Sequence, residues 1–199
     1  MKIDNILNEN LVRRNLILAS LLLSSFETLK SVIEDRIIGF FSFGESYFDK
    51  DRIIRFKKTD HFKAEVLEKY ASEVKGNEDF RLFSSCCLWL RETDVISDID
   101  LETISSIRGQ RNLIAHELVR ILFEDHTELN ARLIRVAISL VEKIELWWVL
   151  NVEVPADEQY DGVEVKAEDV ETGMKNLLEY LATIVQLEME VQEDSTFVS

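Results

Sequence analysis

Turn-formers are nearly missing from this chain. Its 199 residues hold one proline, Pro155, and six glycines, too few to punctuate a many-stranded fold, so the deficit favours helices. Cysteine is equally scarce, and the two present, Cys86 and Cys87, are adjacent. Neighbours in sequence are poor disulfide partners, which argues against a stapled secreted domain and for a reducing, cytoplasmic setting. Positive charge is short too. The net charge is −15, with 10 Lys/Arg against 9 Asp/Glu in 1–60, 8 against 14 in 61–130 and 5 against 15 in 131–199. Such a chain has no overall attraction for nucleic acid or anionic membrane, so a polyanion has to bind at a local basic spot, most naturally in the N-terminal third.

Long apolar runs are lacking as well. "LILASLLLSSF" (16–26) follows Arg13 and Arg14 as a signal sequence would, but Asp4 and Glu9 sit where a positive n-region belongs. The run is also shorter than the roughly 20 residues that span a bilayer. It reads as a buried helix, and no membrane partner is expected. The motifs of several enzyme classes are absent: no G-x-S-x-G, G-x-G-x-x-G or H-E-x-x-H occurs. "GFFSFGES" (Gly39 to Ser46) has P-loop glycine spacing but places Glu45 where the phosphate-binding lysine must stand, and a carboxylate there repels phosphate. The three histidines, His61, His116 and His126, are scattered. Only His61 has a partner at helical spacing, Glu65, and that pair reads as capping and surface charge; no metal or cofactor is expected.

What is present is helical periodicity. Leu11, Leu18, Leu22, Leu29 and Ile33 predict a first helix over about 6–40. The segment 41–58 reads as irregular or a short extended excursion. Asp60 is expected to cap a helix over 61–75, Asn77 one over 78–95, and Asp98 or Asp100 to open a helix ending near Phe123. Thr127 caps 128–150, which closes in "ELWWVL". A long polar loop, 151–166, follows, in which two V-E-V alternations have the pattern of a small hairpin. A last helix spans about 167–191. The expectation is one all-α domain over 1–199, a bundle of five or six helices with its core in 6–150.

Within the helix that ends near Phe123 lies "RGQRNLIAHEL" (Arg108 to Leu118). At 100° per residue, Ile104, Ile107, Ile114, Leu118, Ile121 and Leu122 share one sector, and Arg111 falls inside it. Arg108, Asn112 and His116, four apart, form a polar stripe on one flank, continued by Arg120. Gly109 lies close to His116 in angle and lets another backbone approach. A guanidinium is costly to bury unpaired, so Arg111 must find a carboxylate or line a wet cleft. Two readings follow. One is an Arg–carboxylate tie between helices with His116 hydrogen-bonded at the core's edge. The other is an anion site where Arg111 neutralises a phosphate and His116, a residue type suited to proton transfer near neutral pH, moves a proton. Five residues separate them, roughly 140° around the helix, so they flank a groove and do not point at one spot. Two such helices across a two-fold axis bring both pairs into one cleft.

"RNLIAH", Arg111 to His116, resembles the R-x4-6-H motif of the HEPN superfamily, all-helical domains of many prokaryotic toxin and defence systems. The resemblance is strongest over 78–123, "FRLFSSCCLWLRETDVI" followed by "SSIRGQRNLIAHEL". It implies an HEPN-like fold and a metal-independent endoribonuclease acting on RNA. The enzyme would be a homodimer with Arg111, Asn112 and His116 of both protomers in the cleft, and Arg108 and Arg120 are assigned to substrate binding. It also implies an antitoxin or regulatory partner. Toxins of the nucleotidyltransferase-paired subfamily carry tyrosine two residues after the histidine, where this chain has Leu118. Some HEPN-like domains are inactive, and mannitol-repressor-like regulators share the layout, which makes a binding or regulatory module the alternative. Trp147 and Trp148 read as packing, the acidic last helix as a solvated face. Arg52, Arg55, Lys57 and Lys58 form the one basic cluster, read as a solvated face or an RNA-guiding patch.

Overall fold

The computed structural model describes residues 8–43, 45–123, 129–171, 180, 183 and 184. The chain is mostly helical. Helix α1 runs Glu9–Phe41 and starts where Asn8 Oδ1 accepts the Leu11 N–H at 3.1 Å. Strands β1, Ser46–Phe48, and β2, Ile54–Phe56, pair antiparallel, so the segment 41–58 is an extended excursion and the chain is not strictly all-α. Helix α2, Asp60–Phe62, runs on as a π-helical turn, Lys63–Glu68, shorter than the helix expected over 61–75. Helix α3 spans Glu78–Glu92, α4 Asp98–Phe123 and α5 Ala131–Trp148.

The caps show which local signals were specific. Asn77 accepts the Phe80 N–H, as expected. At α2 the cap is Thr59, whose hydroxyl accepts the Phe62 N–H, and Asp60 is already helical. At α4 the cap is Ser97: its hydroxyl accepts the Asp100 N–H at 3.2 Å, and the Asp100 carboxylate accepts the Ser97 N–H at 2.8 Å, a reciprocal capping box. An acidic residue in the first turn suits the helix dipole equally well, so the carboxylates of Asp60 and Asp98 marked the helix starts but not the cap positions. Thr127 and most of the last helix, 167–191, lie outside the described residues, as does His126.

The polar stretch 151–166 is partly helical. Val149–Glu153 forms a π-helical turn, Val154–Ala156 a helical turn and Glu158–Tyr160 a 3₁₀ turn. The V-E-V segments therefore do not pair; the first is wound into the end of α5, where Pro155 sits in a first helical turn that needs no N–H from it.

The chain divides into two compact units: Met1–Thr28 with Glu102–Glu142 and Glu171–Ser199, and Leu29–Leu101 with Lys143–Val170. In the first unit the buried positions of α1 are Leu11, Asn15, Leu18, Ala19, Leu21, Leu22, Ser25 and Phe26. By length and composition α1 is apolar enough to cross a membrane, and half of its most apolar window is buried within the protein. In the second unit an aromatic cluster joins Phe40 and Phe41 of α1, Trp89 of α3 and Trp148 of α5, with ring centroids 5.2–6.3 Å apart. Trp148 is buried there, consistent with packing. Cys86 and Cys87 are both free and buried, and burial pushes the Cys86 thiol up.

A buried carboxylate, Glu145, and a half-buried one, Glu34, are handled differently in this second unit. Glu145 of α5 receives Arg36 of α1 through both oxygens, at 2.9 and 2.5 Å, and Arg36 also pairs with Glu153. Glu34, two residues earlier on α1, has Oε1 buried without a hydrogen-bond partner among the described residues. Lys30 Nζ stands 4.0 Å from it and 2.7 Å from Asp79. Desolvation raises the Glu34 carboxyl from 4.5 to about 7, with Lys30 and Lys58 opposing the shift and Asp79 and Asp35 adding to it.

Candidate functional site

The site expected on α4 is built from the first unit. Ile104, Ile107, Ile114 and Ile121 are buried along α4, at the spacing of a single helical face. Leu118 departs from the expected sector: it is exposed, and Leu122 is only half-buried. Glu117, just before Leu118, leaves helical conformation, with φ −127° and ψ 21°, yet Ile121 beyond it stays on the buried face.

Arg111 was expected inside the apolar sector; the structure places it at that sector's rim, with its side chain 36% exposed. Its Nη2 and Nε donate to one oxygen of Glu27, Oε1, at 2.8 and 3.2 Å. Nη1 points to Asn112 Oδ1 at 3.4 Å, and the guanidinium lies over the Phe26 ring, 5.7 Å from its centroid. The charge has thus found a carboxylate on α1, at the surface, with an aromatic face beneath it. Two donor edges engaged by Glu27 fix the plane of the guanidinium, because a fork of N–H groups has one orientation in which both reach a single oxygen.

His116 is exposed, and among the described residues it makes no hydrogen bond or ion pair. It is not a hydrogen-bonded histidine at the core's edge. Asn112 and Arg108 are half-buried, Arg120 is exposed, and Arg120 pairs with Glu117 across the kink. The structure therefore joins Arg111 to Asn112 and leaves His116 on the other flank, as five helical residues require. Gly109 sits exposed near His116 in angle, and among the described residues no atom outside its own helix backbone lies within 4 Å of where a Cβ would be.

Three residues that sequence reasoning missed hold this arrangement. Glu27 and Phe26 position the guanidinium. Asn15, 1% exposed on α1, donates to the Ile121 carbonyl at 2.9 Å, so it satisfies a backbone acceptor near the end of α4. An asparagine in the apolar stripe four residues after Leu11 and four before Ala19 was a readable signal. Glu27 was not, since 38 carboxylates offered themselves equally. Among the described residues no group of three His, Cys, Asp or Glu side chains is arranged to hold a metal. No protein-family model, curated protein or solved structure matches this chain.

Proposed function

We propose that this chain is an HEPN-like, metal-independent endoribonuclease of toxin or defence type, cytoplasmic, working as a homodimer that shares one cleft. The observation that carries the reading is the outward stripe of α4. Gly109 and His116, two turns apart, are exposed on one flank with Asn112 beside them, Arg111 lies on the opposite flank, and no described residue outside the helix's own backbone comes within 4 Å of where a Gly109 Cβ would be. A glycine inside a helix costs about 1 kcal/mol against alanine. No described neighbour requires it, and close approach by a second chain accounts for it in this reading.

In the proposed reaction the 2′-oxygen of a ribose attacks the adjacent phosphorus, the bond to the 5′-oxygen breaks, and a cyclic phosphate and a 5′-hydroxyl result. His116 takes the proton from the 2′-hydroxyl, and the imidazole of the second copy returns one to the leaving oxygen. Arg111, held in plane by Glu27, offers its remaining N–H groups to the charge that builds on the phosphate. Asn112 keeps the guanidinium turned outward, while Arg108 and Arg120 attract the flanking strand.

The second reading is an inactive binding or regulatory module, and a specific observation favours it too. Arg111 already has a carboxylate and an aromatic face, so it serves equally as a strap between α1 and α4. Incubation of purified protein with total RNA in EDTA, beside Arg111→Ala and His116→Ala, separates the two. Cleavage by wild type alone supports the ribonuclease. A folded wild type that cuts nothing, with Arg111→Ala impaired only in folding or partner binding, establishes the module.

A further inference from the structure

All six residues of β1 and β2 are exposed, on a ribbon of only two strands, which has little stability of its own. The register pairs Ser46 with Phe56, Tyr47 with Arg55 and Phe48 with Ile54, so Phe48, Ile54 and Phe56 share one face and Tyr47 and Arg55 the other. Phe56 anchors the ribbon: its ring comes within 3.2 Å of the position a Cβ on Gly39 would take. Farther out, Phe48 is 71% and Ile54 59% exposed. Exposed aromatic and branched side chains grouped in this way mark an interaction surface and not scattered surface residues.

Charge narrows the occupant. Residues 45–58 hold five Lys/Arg against three Asp/Glu, or +2, in a chain of −15, so the remainder carries −17. Arg55 pairs with Asp49 and Lys57 with Glu45. Lys50 and Arg52, in the connecting turn, pair with no carboxylate among the described residues. The turn places Arg52 at φ 60°, the left-handed position where hairpins of this length prefer glycine. The Arg52 N–H bonds to the Asp49 carbonyl at 3.1 Å, and the Asp49 carboxylate accepts the N–H groups of Asp51 and Ile53 at 2.9 Å each. An arginine is thus held in a backbone conformation that costs it energy, at the point farthest from the anchor, and retained strain of this kind accompanies function.

We propose that the ribbon 45–58 binds single-stranded RNA, with a base stacked on Phe48 and phosphates met by Lys50 and Arg52. A single strand offers flat apolar faces and regular negative charge together, which is what this surface complements. An acidic peptide offers the charge without the faces. An anionic membrane would receive the turn first, and its residues Asp49 to Arg52 are all charged, with no apolar side chain at the tip to enter the lipid. The ribbon does not depend on the cleavage reading, because a chain that never cuts RNA still presents it.

The test is fluorescence anisotropy of the full chain with a fluorescein-labelled 2′-O-methyl RNA of about twelve nucleotides, which cannot be cleaved at a blocked 2′-oxygen. Wild type is expected to bind saturably and to weaken steeply between ~50 and ~200 mM salt. Phe48→Ala is expected to lose about tenfold in affinity. Arg52→Gly is expected to lose several-fold and to lower the salt slope by about one, while melting no lower than wild type because the strained φ is relieved. The second variant keeps the test decisive even where the first folds poorly. The proposal is overturned by no saturation at ~100 µM protein, by equal affinity in wild type and Arg52→Gly, by binding to phosphatidylserine vesicles in place of the oligonucleotide, or by Phe48→Ala dissociating a dimer that never bound RNA. RNA cleavage that survives both substitutions with unchanged binding removes the ribbon proposal and leaves the ribonuclease reading standing. Binding without cleavage does the reverse.

Discussion

His116 and Glu34 pose opposite problems to the same solvent. His116 is exposed and, among the described residues, has no bonded neighbour, so its replacement removes chemistry and little packing. His116→Ala is expected to keep RNA binding, to melt within about 0.5 kcal/mol of wild type, and to lose cleavage by on the order of 10²–10⁴-fold. Single-turnover cleavage beside a thermal melt checks both halves, and a variant that still cuts removes His116 from the mechanism. Glu34 carries the reverse signature. Its carboxyl is raised from 4.5 to about 7 in the folded protein by desolvation, so the folded state holds an extra proton between those values. This contribution to stability is fully present below about pH 4.5 and is lost as pH rises through about 7. Glu34→Gln, neutral at every pH, is expected to match wild type near pH 4.5 and to exceed it at pH 8 by on the order of 2 kcal/mol. Urea denaturation at the two pH values measures the difference, and equal gains at both would show that burial of charge is not the cause.

Among the elements, α4 and the Arg36 tie can be tested separately. Gly109 has open space around its missing Cβ, so Gly109→Ala is expected to stabilise the isolated protomer by about 1 kcal/mol while weakening self-association and any cleavage that depends on it. A variant that is both more stable and equally active would show that no second backbone approaches there. Arg36 and Glu145 join α1 to α5 through two hydrogen bonds, with Glu145 10% and Arg36 31% exposed in their side chains. Removing one partner strands the other, so Glu145→Ala is expected to cost about 2–3 kcal/mol, somewhat less than a fully buried pair because Arg36 keeps part of its hydration. The double variant Arg36→Met/Glu145→Leu, read by the same denaturation, should recover most of that loss. Element boundaries were legible wherever one residue had one role: Asn77 is a cap and nothing else. They were illegible where two residues fit two adjacent roles, as Thr59 and Asp60 do, or Ser97 with Asp98 and Asp100. There the choice depends on which residue leaves helical φ and ψ first.

For the whole molecule, the cleft proposed between copies requires a dimer. Multi-angle light scattering at micromolar concentration is expected to give twice the 23.1 kDa chain mass; a strict monomer would end the shared-cleft reading. Composition and periodicity by themselves determined the helical character, the break in helix after about residue 41 and the packing role of Trp148. These depend on spacing, and spacing is local: 100° per residue puts side chains on faces wherever the helix lies. The partner of Arg111 was decided only by the tertiary structure. A guanidinium must be compensated, but which of 38 carboxylates compensates it depends on how α1 and α4 pack. The exposure of Leu118 was decided there too, because a position on the apolar sector is covered only where another element packs over it. So was the reach of Glu34 into a desolvated place, since desolvation is set by everything packed around a group and by nothing within its own helix.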